Sequence, residues 1–302
     1  MRTVDAVNGA GKKVLVTGGT GFTGSFVVRE LCEAGYEVCC FVRESSNTAV
    51  LDGYPVRFVH GDLNEPHTLR DALAGMDALV NVASIGFGHG PGIVRACQEA
   101  GVKRALFFST TAVFTTLEAK TRKVRLEAEA AIKESGLDYT IFRPTMIFGT
   151  PRDRNMIRLI RFVDRFPVVP VFGSGTALQQ PVYVKDLARA VRLVLGMPIT
   201  WRQDYNLSGK KPLTYNQVID TVAELLGRRV RRVHLPVRAS LALVNLARVL
   251  PGLPNFSAEQ VLRLNEDKAF THQEATDDFA YAPVSFREAV AAEIKEYRTL
   301  NG

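Results

Sequence analysis

The sequence predicts a doubly wound α/β fold, a parallel Rossmann sheet joined by a smaller, mostly helical C-terminal region on the substrate side. Short β-rich runs alternate with helical stretches through the first half of the chain, the cadence of βαβ units. A glycine triplet stands between the first of those runs and the first helical stretch. After Gly149 the alternation gives way to mainly helical segments.

KKVLVTG (12–18) is the first predicted strand, and the helix from Phe22 to Ala34 follows it. Between them VTGGTGFTG places Gly18, Gly21 and Gly24 in a G-x-x-G-x-x-G spacing, with Thr20 and Phe22 in the same turn. The first glycine permits the turn, the second lets the backbone approach a pyrophosphate, and the third lets the helix pack close to the sheet. Amides at the start of that helix face the phosphates of a dinucleotide.

YEVCCFVR (36–43) is the second strand, and its end bears on the choice of cofactor. A protein selecting NAD usually places a carboxylate there for the ribose hydroxyls, whereas this chain has Arg43, a fork that suits a 2′-phosphate. Glu44 follows directly, so NADP(H) is favoured while NAD(H) stays open. VRFVHGD (56–62) is the third strand, which leaves Asp62 and Leu63 at the adenine end. A helix from Pro66 to Leu73 leads to the strand DALVNVA (77–83), whose end brings Ala83 and Ser84 under the cofactor. The helix 92–101, the strand KRALFFST (103–110), a charged helix from Arg122 to Ser135 and the strand DYTIFRP (138–144) complete six strands.

Beyond them, Arg154 to Phe166 has helical spacing, 171–195 gives a turn, a short strand and a helix from near Lys185, and 204–209 reads as one more strand. Helices are expected at Leu213 to Leu226, Ser257 to Asn265 and Ser285 to Tyr297. The division that follows is a dinucleotide-binding core over 1–166 and a mixed region over 167–302, which returns one or more elements to that core.

The glycine motif, GDL (61–63), FFSTTAVF (107–114), DYTIFRPTMIFG (138–149) and VYVKDLARA (182–190) together resemble the extended and atypical short-chain dehydrogenase/reductase superfamily, in particular its NAD(P)-dependent epimerase/dehydratase group. The resemblance covers nearly the whole chain. It implies that Pro144 begins a loop along the nicotinamide, and it matches Thr111 to the hydroxyl that holds the substrate oxygen. It also exposes a departure: the register that should give a tyrosine and a lysine four residues later gives Thr121 and Arg125. A threonine has no phenolate form near neutral pH, so it replaces a tuned acid poorly. Arg125 keeps the ability to bind ribose or phosphate.

His89, in SIGFGHGPG after the fourth strand, is the alternative proton carrier. Phe87 is an apolar wall for substrate or nicotinamide. Arg152, Arg154 and Arg158 form a clamp for an anion if they point inward, and Gln179, Gln180 and Tyr183 are further polar candidates.

Composition narrows the field. Of 302 residues, 46% are hydrophobic and 23% charged, which is globular in character. The net charge of +7 comes from arginines spread over several segments, so a small, anionic substrate is expected and a nucleic acid is not. Cys32, Cys39, Cys40 and Cys97 have no metal-finger spacing; no metal is expected, and reduced thiols fit a cytoplasmic protein. The stretch 237–256 comes closest to a membrane-surface helix, and 92–101 with 122–135 are the helices that would pair in a homodimer. Two functions remain in view: an NADP(H)-dependent oxidoreductase or epimerase-like enzyme on a small polar, anionic or nucleotide-linked substrate, and a non-catalytic NAD(P)H-binding structural or regulatory protein resembling accessory subunits of respiratory complex I.

Overall fold

The structure, a computed structural model, describes residues 9–116, 120–240 and 258–301. The described residues fall into two compact units, the first drawn from 1–147, 184–207 and 271–283 and the second from 148–183, 208–270 and 284–302.

The first unit is built on β1 (Lys13–Thr17), α1 (Phe22–Glu33), β2 (Glu37–Val42), β3 (Val56–His60), α2 (Pro66–Leu73), β4 (Ala78–Asn81) and α3 (Gly90–Ala100). It continues through β5 (Arg104–Phe108), α4 (Lys120–Glu134), β6 (Asp138–Pro144), α5 (Val184–Leu195), β7 (Gln203–Leu207) and α6 (Gln273–Phe279). The strands form one parallel sheet in the order β7-β6-β5-β4-β1-β2-β3. The segment expected as an additional strand at 204–209 is β7, pairing in parallel with β6 from Gln203 opposite Thr140 to Leu207 opposite Pro144. The sheet is therefore doubly wound, as the alternation implied.

Because parallel strands are covered on both faces, they carry nearly continuous apolar runs. Leu15, Leu79, Ala105, Phe107 and Ile141 meet Leu69 and Leu73 of α2, Ile93 and Cys97 of α3 and Ile132 of α4 in one core. Burial pushes the Cys40 and Cys97 thiols up to about 12, so both are inert packing groups.

The second unit contains the helices Met156–Arg165, Tyr215–Leu226, Ala258–Leu264 and Phe286–Asn301, and a parallel pair of strands, Val168–Phe172 with Arg231–Leu235. The helix expected from Leu213 starts at Tyr215, because Thr214 and Gln217 close a capping box that fixes its first turn. Most of the surface-helix stretch at 237–256 lies outside the described residues.

Candidate functional site

Strand order reverses at β1, which has β2 on one side and β4 on the other. Ligands of open α/β sheets bind at the carboxyl ends of the strands at such a point. Gly18 follows β1 with φ of 68°, a left-handed conformation that favours glycine. A Cβ there would lie 2.8 Å from the backbone nitrogen of Ala83, and one on Gly24 would lie 2.0 Å from the carbonyl oxygen of Gly18. The turn is thus closed against both its own helix and the end of β4. Gly21 is the N-cap of α1, and no side chain caps the helix. Its first amides are consequently available to an anion. Thr20 and Phe22 lie half-buried beside the exposed Gly21.

Two residues that sequence reasoning passed over hold this junction. The Thr17 hydroxyl donates to Asn81 Oδ1 at 2.7 Å, and Asn81 Nδ2 donates to the Ala83 carbonyl at 2.9 Å. Both side chains are buried. Asparagine in the apolar run DALVNVA was the visible signal. Thr17→Val is expected to leave the buried Asn81 oxygen without a donor and to lower stability by about 1–3 kcal/mol, measurable by denaturant unfolding.

Arg43 is exposed at the end of β2, and its backbone amide donates to Ser46 Oγ at 3.1 Å. Glu44 takes a different direction, with its carboxylate 3.3 Å from Nδ1 of His60 at the end of β3. Asp62 Oδ1 accepts from the amide of Asn64 at 2.8 Å and from its side chain at 2.9 Å. The Asn64 amide is the largest influence holding the Asp62 carboxyl below the usual carboxylate range; desolvation opposes it, and the Asn64 side chain, Arg43 and His89 add to it. The structure thereby brings Arg43, Asp62 and His89 into one electrostatic neighbourhood. Asp62 does not cap α2, whose N-cap is Glu65. Leu63 is partly buried against the core.

His89 stands at the N-cap of α3, its ring 6.5 Å from that of Phe87. Phe87 is 76% exposed on the short 3-10 turn after β4, an apolar surface open to a ligand. Ser84 Oγ accepts from the Gly86 amide and shapes the same turn.

Thr111 is buried and donates its hydroxyl to the Pro144 carbonyl at 3.3 Å. Thr121 and Arg125 lie one turn apart on α4, with Arg125 Nη1 donating to the Thr121 hydroxyl at 2.6 Å. The Arg125 guanidinium also presses on Gly86, where a Cβ would meet its Cζ at 2.9 Å. Arg125 is thus seated against the loop that carries Phe87 and His89.

An ionic chain, buried at Glu129 and Arg143, links α4, β6 and β7. Ser109 Oγ donates to Glu129 Oε1 at 2.5 Å, Arg143 Nη2 donates to Glu129 Oε2 at 2.6 Å, and Arg143 Nη1 pairs with Asp204, which also meets Lys133 at 3.0 Å. Arg143 is therefore committed to carboxylates of its own chain. Arginine in the strand DYTIFRP was its only sequence sign.

In the second unit Arg152, Arg154 and Arg158 are all exposed. Gln180 is occupied structurally, donating to the Gly209 carbonyl at 2.7 Å and accepting from the Phe270 amide at 2.9 Å. The Gln179 side-chain nitrogen is buried without a partner, and the half-buried Tyr183 ring lies 6.1 Å from Phe148.

Residues 18–165 match a family described as NAD(P)H-binding. The photosystem II assembly factor Ycf39 of Synechocystis is 29% identical, with 74% of this chain and 71% of the relative covered. The ceramide reductase of Caulobacter vibrioides is 25% identical, with 88% and 86% covered. Among solved structures, the NAD-bound dTDP-glucose 4,6-dehydratase of Streptomyces venezuelae superposes with a TM-score of 0.73 at 22% identity, covering 95% of this chain and 97% of that one. The chain thus shares its fold with that dehydratase.

Proposed function

We propose that this chain, which shares the epimerase/dehydratase Rossmann fold and matches an NAD(P)H-binding family over residues 18–165, is an NADP(H)-dependent oxidoreductase or epimerase-like enzyme. Its substrate is a small polar molecule, anionic or nucleotide-linked like that of the dehydratase it resembles in fold. The observation that carries this reading is the glycine turn: a side chain at Gly18 or Gly24 would collide with backbone, and the turn opens onto an uncapped helix start at the point where strand order reverses. The residues present fit a dinucleotide.

In this reading the α1 amides, with Gly21, Thr20 and Phe22 around them, hold the pyrophosphate, and Asp62 with Leu63 holds the adenine. Arg43 takes the 2′-phosphate. The commitment of Glu44 to His60 supports NADP(H) over NAD(H), since it leaves Arg43 as the group at the ribose. When bound, the nicotinamide would give or take a hydride at C4. Ala83, Ser84 and Pro144 confine that end of the cofactor, and Arg125 binds the ribose in place of the usual lysine. Thr111 orients the substrate oxygen after leaving the Pro144 carbonyl, and His89 carries the proton.

A second reading rests on the bond between Arg125 and Thr121: the two positions that normally carry acid and lysine satisfy each other, as suits a dinucleotide-binding protein without hydride chemistry. The assembly factor among the relatives is compatible with that role.

The test is turnover of NADPH against a panel of carbonyl compounds, followed by nicotinamide absorbance. Thr111→Val is expected to lower kcat by roughly 10²–10³-fold, the range for losing one oxyanion donor, with dinucleotide affinity unchanged. NADPH binding without turnover of any substrate would favour the second reading.

A further inference from the structure

The helix Met156–Arg165 has two unlike faces. Its apolar side, including Ile157 and Ile160, is buried in the second unit. Arg158, Arg161 and Arg165 recur at i, i+3 and i+7 and are all exposed, so they share the opposite face. None of the three guanidiniums meets a carboxylate among the described residues. The one acid in the helix, Asp164, is already taken by Arg228 at 3.0 Å and by the Tyr297 hydroxyl at 3.1 Å.

Apolar surface adjoins this stripe. Phe166, directly after the helix, is 44% exposed and lies 5.5 Å from the Arg165 guanidinium. Val168 is 45% exposed, and Val233, on the strand paired with that of Val168, is 38% exposed. Their strand neighbours Val169 and Val171 are buried, so the exposed valines belong to the outward face of the ribbon.

We infer that this face docks the protein on an anionic lipid surface, with the three arginines at the phosphate level and Phe166, Val168 and Val233 entering the interface. Three exposed guanidiniums on one face, none of them paired with a carboxylate among the described residues, suit a polyanion, in a chain of net charge +7. The apolar residues favour lipid: Phe166 alone has a π face on which a base could stack, and its ring already faces Arg165, whereas apolar side chains beside guanidiniums match the boundary between headgroup and acyl chain. Attachment is peripheral, as no helix among the described residues is long and apolar enough to cross a membrane.

Flotation of the full chain with vesicles tests this. Wild type is expected to float with phosphatidylcholine vesicles containing phosphatidylglycerol, to ignore vesicles of phosphatidylcholine alone, and to be released by salt. Combining Arg158→Gln, Arg161→Gln and Arg165→Gln is expected to weaken binding by roughly a hundredfold. Phe166→Ser with Val168→Ser should weaken it severalfold while leaving salt sensitivity in place. An unchanged melting temperature verifies that each variant is folded. The inference is overturned if wild type does not bind the anionic vesicles, if it binds both vesicle types equally, if the triple variant binds as wild type does, or if an RNA or DNA oligonucleotide binds more tightly and displaces the vesicles.

Discussion

Replacing Gly24 with alanine is expected to abolish dinucleotide binding and to destabilise the protein by about 3 kcal/mol, at the upper end of overpacking penalties. The added Cβ would fall 2.0 Å from the Gly18 carbonyl oxygen, 2.8 Å from its carbonyl carbon and 2.9 Å from Gly19 Cα. All three are backbone atoms, so no side chain can rotate away. Relief requires the start of α1 to move off the turn. Gly18 cannot follow easily, because it already stands at φ of 68° with Ala83 behind it. Displacing either segment disperses the amides that would receive the pyrophosphate. Gly53→Ala is a suitable control: Gly53 has φ of 84° and nothing within 4 Å of its Cβ position, so that variant bears the backbone strain alone, about 1 kcal/mol. Melting curves and cofactor titration of the two variants separate steric conflict from strain.

The second large effect concerns Glu293 in the helix Phe286–Asn301. The residue has no exposure, and its carboxyl is buried beside the Asp153 side chain and the Gly149 backbone. Its neighbour Asp153 starts the helix Met156–Arg165, its Oδ1 accepting from the amides of Asn155 at 2.8 Å and Ile157 at 3.2 Å. Burial first, and then Asp153, pushes the Glu293 carboxyl up to about 10 from an ordinary 4.5. The folded protein therefore keeps this proton over a pH range in which the unfolded chain has lost it. The stability this group contributes is fully present below pH 4.5 and is lost as pH rises toward 10. Within that window the slope is about 1.4 kcal/mol per pH unit for one proton. Glu293→Gln removes the titration while keeping shape and neutrality. The variant is expected to melt at a higher temperature than wild type at alkaline pH, with the gap closing as pH falls toward 5 or so. A constant gap across that range would mean that Glu293 ionises normally in the folded state.

Both effects bear on how much of this molecule can be read without its fold. The cradle is local: strand, glycine turn and helix start lie within a dozen or so residues, where the chain's own sterics dictate the geometry. The alternating pattern likewise announced a parallel sheet, because strands buried on both faces must be apolar throughout. What remained hidden depends on pairs remote in sequence. That Glu44 turns toward His60 follows only from β3 lying beside β2. Glu129, Arg143 and Asp204 each resemble an ordinary surface charge until α4, β6 and β7 converge, pair them and bury the first two. Asp153 and Glu293 are similar in this respect. For Arg158 the helical spacing was legible, but the buried side, and hence the outward direction of the arginines, follows only from packing.

We propose NADP(H) for this site, with Arg43 on the 2′-phosphate. Calorimetric titration of cofactor-stripped protein with NADPH and NADH in parallel tests it most directly. A preference for NADPH of at least about tenfold, or 1.4 kcal/mol, is expected, falling to parity in Arg43→Ala. Equal or tighter binding of NADH would contradict the assignment of Arg43, and binding of neither would contradict the dinucleotide site itself.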